Sequence, residues 1–185
     1  MSIAAALWTL LTASPDQTFR LGCTLGRHAR PGQVIALQGD LGAGKTTLTQ
    51  GIAVGLGIRA RVTSPTFTLV NEYAGLSGPR LVHIDAYRLG DETDRAVAES
   101  ATFGLEEILD REVLEEMDGG AVAVVEWAER VAPLLPDDCL FISLSAGDDP
   151  DQRAVAIRAS GPRSQALLAA LRAEMQAWNA PGGQE

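Results

Sequence analysis

The clearest chemical signal in the chain comes from residues 39–47, which read GDLGAGKTT. They fit the pattern G-x-x-x-x-G-K-[ST], typical of a loop that binds phosphate groups, the P-loop. Glycines in such a loop let backbone N–H groups approach the phosphates at a helix N-terminus. The pattern predicts that Lys45 contacts the β- and γ-phosphates of a nucleotide and that the Thr46 hydroxyl binds Mg²⁺. The candidate cofactor-binding residues are Asp40, Leu41, Gly42, Ala43, Gly44, Lys45, Thr46 and Thr47.

Lys45 is the only lysine of the chain, which contains 14 arginines. Arginine carries a planar fork of donors, whereas lysine carries a compact ammonium group on a flexible stem. The retention of lysine at this one position favours a specific role for that ammonium group, and it argues against an ordinary glycine-rich turn before a helix.

The segments on either side of the loop have the required character. Residues 34–37 form an apolar run of strand length, and Leu48, Ile52 and Leu56 recur at helical spacing after the loop. A strand, a glycine-rich loop and a helix in this order are the context in which a P-loop occurs.

Glu126 ends a second apolar run, residues 121–125. An acidic residue at the end of such a strand is typical of the Walker B position, where it holds Mg²⁺ directly or through water. The longer side chain of glutamate could also reach a water nucleophile. We therefore predict Glu126 as a metal ligand and catalytic residue. We interpret the following Trp127 as a core aromatic residue, and packing near the nucleotide is the alternative.

A third predicted strand, residues 81–85, also ends in an acid, Asp85. Because side chains alternate along a strand, His83, Asp85 and Tyr87 should project to one side. Asp85 is a candidate for ordering the attacking water or the shell around Mg²⁺. His83, taken alone, is interpreted as a structural histidine.

Hydroxyl-bearing residues lie between the P-loop helix and the next predicted strand: Ser64, Pro65 and Thr66 form the sequence SPT. This is the position of a switch loop, in which a hydroxyl group could sense the γ-phosphate. Ordinary turn chemistry is the alternative interpretation.

The pattern of elements predicts an α/β fold of the P-loop NTPase type, with a mostly parallel, doubly wound sheet, helices on both faces and a C-terminal β-hairpin followed by a helix. Because crossovers are right-handed, Lys45, Asp85 and Glu126 should share one crevice at the carboxyl ends of the strands. We assign residues 1–178 to a single domain and residues 179–185 to a disordered tail.

Local signals place the remaining elements. Residues 1–8 are interpreted as a strand or its lead-in, and Ser14, Pro15 and Gln17 form a capping box that starts a helix running to about Ala29. Residues 90–117 are acidic and helical. Residues 139–144 and 154–157 form a hairpin, and residues 163–178 form the last helix.

Composition limits the classes of function. The chain has 185 residues, 46% of them hydrophobic, and a formal net charge of −9. A chain this acidic is not suited to bind nucleic acid alone, because neutralising phosphates requires clustered basic side chains. Cys23 and Cys139 lack metal-binding spacing and are interpreted as small buried residues. The N-terminal apolar run is too short to span a membrane and has no basic residue before it, so we expect a cytoplasmic protein.

Four motifs together resemble those of the TsaE family, in order and in spacing. They are residues 39–47, residues 64–70, the motif His83-x-Asp85-x-Tyr87-Arg88-Leu89, and residues 124–127. The resemblance extends over about residues 14–158. It implies a small ATPase that uses ATP and Mg²⁺ and supports the synthesis of N6-threonylcarbamoyladenosine (t⁶A) at position 37 of tRNA.

The resemblance also implies partners and residue roles. The partners are TsaB-like and TsaD-like proteins, which carry out the transfer reaction, so this chain need not bind tRNA stably by itself. By residue match, Thr46 and Glu126 are the Mg²⁺ ligands, residues 41–46 surround the phosphates, and Asp85 is a catalytic candidate. We expect slow ATP hydrolysis by the chain alone and stimulation by the partners.

Two other functions remain open on the sequence. A small-molecule kinase would need a lid with several arginines, and only Arg88, Arg95 and Arg111 lie in a suitable region. A nucleotide-gated adaptor would bind ATP without useful hydrolysis. A GTPase is excluded, because its Asn-Lys-x-Asp motif would require a second lysine.

Overall fold

The computed structural model describes residues 6–65, 69–76, 78–89 and 104–178. Their strands are β1 (Ala6–Thr12), β2 (Val34–Gln38), β3 (Val70–Tyr73), β4 (Arg80–Asp85), β5 (Ala121–Glu126), β6 (Cys139–Ala146) and β7 (Arg153–Ala159). Their helices are α1 (Pro15–His28), α2 (Lys45–Gly55), α3 (Leu105–Ile108), α4 (Arg111–Glu116) and α5 (Pro162–Trp178), with a 3-10 segment over Ala128–Leu134.

The strands form one seven-stranded sheet in the order β1-β7-β6-β2-β5-β4-β3. The four strands β6, β2, β5 and β4 run parallel and form the centre. The strands β1, β7 and β3 pair antiparallel at the two edges. The predicted α/β class with a mostly parallel central sheet is confirmed, as is the C-terminal hairpin followed by a helix.

The central strands are buried on both faces, which explains why their sequences are continuous apolar runs. In β2, Ile35 and Leu37 pack in a cluster with residues of α1, α2 and α5. Val34 and Ala36 alternate with them and pack in a second cluster with residues of α3, α4 and the 3-10 segment. Helices therefore cover both faces of the sheet centre, as predicted, and the P-loop leads from a strand buried on both faces.

Helix α2, which follows the P-loop, packs directly on α1 through glycine. A Cβ atom added to Gly51 would lie 2.1 Å from the carbonyl oxygen of Phe19, far inside contact distance. The same close approach occurs at all four glycines of the two helices, Gly22, Gly26, Gly51 and Gly55. The backbones of α1 and α2 are therefore in contact with each other, and no side-chain layer separates them.

The predicted start of α1 is confirmed. The Ser14 hydroxyl accepts a hydrogen bond of 3.3 Å from the Gln17 N–H, and the Gln17 side chain accepts one of 2.7 Å from the Ala13 N–H. Helix α1 ends at His28, one residue before the predicted end.

The two cysteines are free thiols, as expected. Cys139 is fully buried in β6, whereas Cys23 is half-buried on α1. Burial raises the pKa of the Cys139 thiol to about 12, so that thiol stays protonated at neutral pH.

Some predictions concern residues outside the described part of the chain. These are Thr66 of the proposed switch loop, residues 90–103 of the acidic helical stretch and the tail, residues 179–185. From residue 104 onward the acidic stretch is helical, but as two short helices, α3 and α4. In the part of the chain that the structure describes, no helix combines the length and the apolar character needed to cross a membrane.

Candidate active site

The P-loop connects β2 to α2 through three glycines with positive φ. These angles are 136° at Gly39, 78° at Gly42 and 101° at Gly44. Residues with a side chain rarely adopt such angles, so the glycines are needed for the turn. At Gly39 a Cβ atom would also lie 2.2 Å from the carbonyl oxygen of Leu144. The loop is therefore shaped by backbone conformation and by close packing against β6.

Lys45 is the first residue of α2 and is only 5% exposed. Its ammonium group donates hydrogen bonds of 2.5 Å to the carbonyl oxygen of Gly39 and 2.9 Å to that of Asp40. The same group lies 3.6 Å from the centroid of the Trp127 ring. Burial lowers the pKa of Lys45, and the nearby Glu126 carboxylate opposes this effect. In this conformation the lysine holds the P-loop closed on itself.

Glu126 is the centre of a buried hydrogen-bond network and is 2% exposed. Its Oε2 atom accepts a hydrogen bond of 2.9 Å from the Thr46 hydroxyl. Its Oε1 atom accepts one of 3.0 Å from the Thr49 hydroxyl and lies 2.8 Å from Nε2 of His83. Helix α2 therefore contacts both carboxylate oxygens, and strand β4 contacts Oε1 as well.

His83 is fully buried, and its second ring nitrogen, Nδ1, has no hydrogen-bond partner among the described residues. His83 therefore has the structural role expected for it: it holds the Glu126 carboxylate. Thr49 was not predicted at all. The only sequence signal for Thr49 is its spacing of three residues from Thr46, which places both hydroxyl groups on the same face of the helix.

Asp85 ends β4 and is also buried, at 3% exposed. Its Oδ2 atom accepts a hydrogen bond from the Ser64 hydroxyl, and its Oδ1 atom accepts one of 3.0 Å from the Tyr87 N–H. The proposed switch segment thus contacts the candidate catalytic acid directly through Ser64. Pro65, the next residue, is buried.

These side chains line one pocket of about 430 Å³. The pocket brings together Lys45, Asp85 and Glu126, at one end of the parallel strands, as the topology predicts. Of the predicted site residues that the structure describes, Asp40 and Pro65 do not line it. The lining residues are Leu41, Gly42, Ala43, Gly44, Lys45, Thr46, Thr47, Ser64, Asp85, Tyr87, Glu126 and Trp127.

Trp127 differs from the core position expected for it. It has a left-handed backbone, with φ of 58°, and is half-buried at the pocket wall. Its ring centroid lies 5.0 Å from that of Tyr87, with the two planes tilted by 45°. The guanidinium group of Arg130 lies 5.3 Å from both ring centroids and donates a 2.9 Å hydrogen bond to the Leu89 carbonyl oxygen. The two rings therefore form an aromatic wall beside the P-loop.

Residues 6–65, 69–76, 78–89 and 104–178 contain no group of three or more His, Cys, Asp or Glu side chains that could hold a metal ion. One carboxylate and one hydroxyl group, together with the phosphates of a nucleotide, suit Mg²⁺, which uses few protein ligands.

Comparison with known proteins places this site in a family. The model for the family described as "Threonylcarbamoyl adenosine biosynthesis protein TsaE" matches residues 12–155. A "tRNA threonylcarbamoyladenosine biosynthesis protein TsaE" from Bacillus subtilis is 38% identical over 156 residues, which are 84% of this chain and 88% of the relative. A protein of the same description from Treponema pallidum is 41% identical over 134 residues, 72% of this chain and 88% of the relative.

A solved structure gives the same result in three dimensions. The crystal structure of Bacillus subtilis YdiB superposes with a TM-score of 0.72 at 32% sequence identity. The superposition covers 94% of this chain and 99% of that one. The matched family model spans the P-loop, both candidate acids and the aromatic wall, and the chain belongs to the TsaE family.

Proposed function

We propose that this chain is a Mg²⁺-dependent ATPase that binds and slowly hydrolyses ATP to support the proteins that make N6-threonylcarbamoyladenosine at position 37 of tRNA. The observation that carries the proposal is the convergence of a P-loop lysine and two buried carboxylates, Asp85 and Glu126, on one pocket. The relatives named as tRNA threonylcarbamoyladenosine biosynthesis proteins support the cellular role.

The phosphates of ATP would bind at the N-terminus of α2, where backbone N–H groups and the helix dipole favour anions. The Lys45 ammonium would exchange the two carbonyl oxygens that it now contacts for phosphate oxygens. A charged phosphate oxygen is a stronger acceptor than a neutral carbonyl oxygen, so this exchange favours binding. The Lys45 ammonium group would then no longer contact the Trp127 ring.

The proposed Mg²⁺ ligands, Thr46 and Glu126, fit this ion. Their Oγ1 and Oε2 atoms are 2.9 Å apart. Both oxygens could therefore bind one ion, and Mg²⁺ uses few protein ligands, which suits this pair. The bound ion would neutralise charge that develops on the phosphates during transfer. Thr49 and His83 would fix the orientation of the Glu126 carboxylate.

Asp85 is the proposed residue for ordering the attacking water. Ser64 and the Tyr87 N–H hold its two oxygens, and it is buried at the pocket wall beside Lys45. A carboxylate held in this way can orient a water molecule and accept its proton. Because Ser64 contacts Asp85, a change in the segment that follows α2 would alter the position of this carboxylate.

Slow hydrolysis by the chain alone is proposed from the charges at the pocket. Among the described residues that line it, Lys45 is the only one with a positively charged side chain. Phosphoryl transfer without a second cation such as an arginine finger can lose about three to five orders of magnitude in rate. We propose that TsaB-like and TsaD-like partners complete the function and that this chain, with its net charge of −9, does not bind tRNA stably by itself.

The kinase alternative loses support from the position of Arg111. A Cβ atom added to Gly32 would lie 3.0 Å from the Arg111 side chain. Gly32 precedes β2, whereas the P-loop follows β2, so Arg111 lies at the opposite end of the strand. Of the other two arginines considered for a lid, Arg88 is exposed and Arg95 lies outside the described residues.

Phosphate release tests the proposal. The purified protein is assayed with ATP and with GTP, with and without Mg²⁺, and alone or with TsaB-like and TsaD-like proteins. We expect slow release from ATP, dependence on Mg²⁺ and an increase when the partners are added. ATP binding without release under any condition would support the adaptor instead. Fast release by the protein alone, unchanged by either partner, would contradict the proposal.

A further inference from the structure

Arg153, the first residue of β7, contacts the P-loop from outside the phosphate pocket. Its Nε atom donates a hydrogen bond of 3.1 Å to the carbonyl oxygen of Ala43, and Nη2 donates one of 3.3 Å to that of Gly42. Its Nη1 atom donates to the carbonyl oxygens of Pro150 at 2.7 Å and Gln152 at 2.6 Å. One guanidinium group thus joins the P-loop to the turn between β6 and β7.

The backbone of Arg153 is well fixed for this role. In the sheet it pairs with Thr12 of β1 on one side and with Ala146 of β6 on the other. The turn before it is closed by a hydrogen bond of 3.0 Å from the Gly147 N–H to the carbonyl oxygen of Gln152. The guanidinium group is therefore presented to the P-loop from a strand that is paired on both sides.

The contact sets the direction of two peptide groups. In a trans peptide the C=O and the following N–H point in opposite directions. When Arg153 holds the Ala43 carbonyl group, the N–H of Gly44 faces away from the arginine. When it holds the Gly42 carbonyl group, the N–H of Ala43 faces away as well, and this N–H closes a turn through a 3.1 Å hydrogen bond to the Asp40 carbonyl oxygen.

Apart from the contacts with Arg153, the described hydrogen bonds of these two peptide groups reduce to one, from the Ala43 N–H to the Asp40 carbonyl oxygen. Gly42 and Gly44 have positive φ, and a Cβ atom added to Gly42 would meet no atom within 4 Å. Glycine has a wide choice of backbone conformations, so the loop could rotate its carbonyl groups toward the site where an anion binds. An anion site made of backbone N–H groups works only when those groups converge.

We propose that Arg153 is a positioning residue that preorganises the P-loop backbone for the phosphate groups of a nucleotide. The inference rests on the proposed binding of ATP. Arg153 acts by holding the carbonyl groups of the loop. The ligand that the loop then binds can be any polyphosphate that fits it. Preorganisation lowers the ordering cost of binding, so the expected effect is on affinity for the whole polyphosphate group.

A direct contact between Arg153 and the nucleoside is the rival explanation. Arg153 also lines a small cavity of about 70 Å³ with Thr18, Thr47 and Asp151, next to the P-loop. A ribose or base in this cavity would contact the arginine itself. The two explanations predict different affinities for inorganic tripolyphosphate. This ligand has no nucleoside, so its affinity depends on the P-loop and not on a contact between Arg153 and a ribose or base.

The experiment measures the affinity of ATP and of tripolyphosphate by calorimetry, both with Mg²⁺, for the full chain. Arg153→Gln removes the positive charge and the planar guanidinium group with its several N–H donors. Arg153→Lys keeps the positive charge but presents one ammonium group in place of the guanidinium group. Arg158→Gln is the matched control, since Arg158 lies on the same strand, is exposed and packs on Phe141 at 4.1 Å.

We expect Arg153→Gln to weaken the binding of both ligands by about tenfold or more, the scale of one charge-assisted contact. Arg153→Lys should lie between Arg153→Gln and the unmodified protein, and Arg158→Gln should match the unmodified protein. Hydrolysis at saturating ATP should change less than twofold, because losing stabilisation that is equal in the ground state and the transition state raises KM and leaves kcat unchanged. Hydrogen exchange at residues 40–46 of the free protein should become faster in Arg153→Gln, faster by a smaller factor in Arg153→Lys, and unchanged in Arg158→Gln.

Several results would overturn the inference. Weaker binding of ATP with unchanged binding of tripolyphosphate would assign Arg153 to the nucleoside. Unchanged affinity for both ligands in Arg153→Gln and Arg153→Lys would remove any role in binding, while leaving the proposed ATPase intact. If the unmodified protein bound neither ligand, the proposed function itself would fail, and this inference with it. If Arg153→Gln did not fold, Arg153→Lys and the exchange measurement would decide.

Discussion

The Thr46 hydroxyl donates a hydrogen bond of 2.9 Å to Oε2 of Glu126. This bond connects the first turn of α2 to the end of β5, so the two proposed metal ligands already contact each other in the free protein. Thr49 and His83 hold the other carboxylate oxygen. The carboxylate therefore needs little reorganisation to accept an ion.

Replacing Glu126 with glutamine should reduce hydrolysis more than nucleotide binding. The neutral amide keeps the shape of the side chain but cannot neutralise the ion or accept a proton. We expect kcat to fall by about two orders of magnitude or more, with less than a tenfold change in the Kd for ATP. Glu116→Gln is a suitable control, because Glu116 is exposed on α4. Equal losses in binding and hydrolysis would contradict the assignment.

Removing the ammonium group of Lys45 should abolish tight ATP binding. Lys45→Met keeps an apolar stem against Trp127, whereas Lys45→Ala also removes the packing. Loss of a charge-assisted phosphate contact should weaken affinity by about a hundredfold in both variants. Calorimetry with ATP tests this, and thermal unfolding shows whether the fold is kept. An unchanged ATP affinity in Lys45→Met would refute the P-loop assignment.

The segment around Ser64 should respond to the γ-phosphate. Ser64 donates a hydrogen bond to Asp85, which borders the same pocket as Lys45. Hydrogen exchange over residues 61–69 should therefore differ between complexes with ADP and with a non-hydrolysable ATP analogue. Ser64→Ala should reduce this difference and slow hydrolysis. The same protection in both complexes would leave the segment as an ordinary turn.

Adding a methyl group at Gly51 should destabilise the protein. Its Cβ atom would lie 2.1 Å from the Phe19 carbonyl oxygen, which belongs to the backbone of α1 and cannot rotate away. Gly51→Ala should lower the free energy of unfolding by about 1–3 kcal/mol, the usual cost of overpacking, although alanine favours helix more than glycine does. Denaturant unfolding measures this. Val54→Ala, at a position 53% exposed on the same helix, should change stability by about 0.5 kcal/mol or less.

Asp138 should stabilise α5 in a pH-dependent way. Its carboxylate accepts hydrogen bonds of 2.8 Å and 2.9 Å from the N–H groups of Arg163 and Ser164. Burial raises the pKa of Asp138, but these hydrogen bonds outweigh it and hold the pKa below the model-compound value of 3.8. The stabilisation is therefore complete above pH 3.8 and is lost as the pH falls through the lower folded-state value.

At pH 7, Asp138→Ala should cost about 1 kcal/mol, the usual value for a lost helix cap. Urea unfolding across a pH series should show the difference from the unmodified protein narrowing below pH 3.8. Asp137→Ala, at the exposed neighbouring position, should show no such trend. A constant difference at every pH would mean that packing, and not the charge, accounts for the effect.

The parts of the fold that local sequence determines were predictable. The apolar runs of β2 and β5, the Ser14 cap of α1 and the turn between β6 and β7 depend on residues close together in the chain. The grouping of Lys45, Asp85 and Glu126 also followed, because parallel strands bring their carboxyl ends to one edge.

Features that depend on register or on contacts between distant residues were not predictable. His83 meets Glu126 because β4 and β5 pair with Asp85 opposite Glu126, and no local pattern gives this register. The contact between Arg153 and Ala43 joins residues 110 positions apart. Trp127 follows an apolar strand in the sequence, which indicates a core position. Its left-handed backbone conformation instead places its side chain in the wall of the pocket.

The backbone contact between α1 and α2 has a mechanical consequence. Two helices whose backbones already touch at their glycines cannot move closer together at those points. Helix α1 is in turn joined to α5, because Arg27 and His28 both contact the Glu174 carboxylate. A shift of α2 toward α1 would therefore press on the α1 backbone directly, and the side-chain contacts with Glu174 connect α1 to the surface of α5.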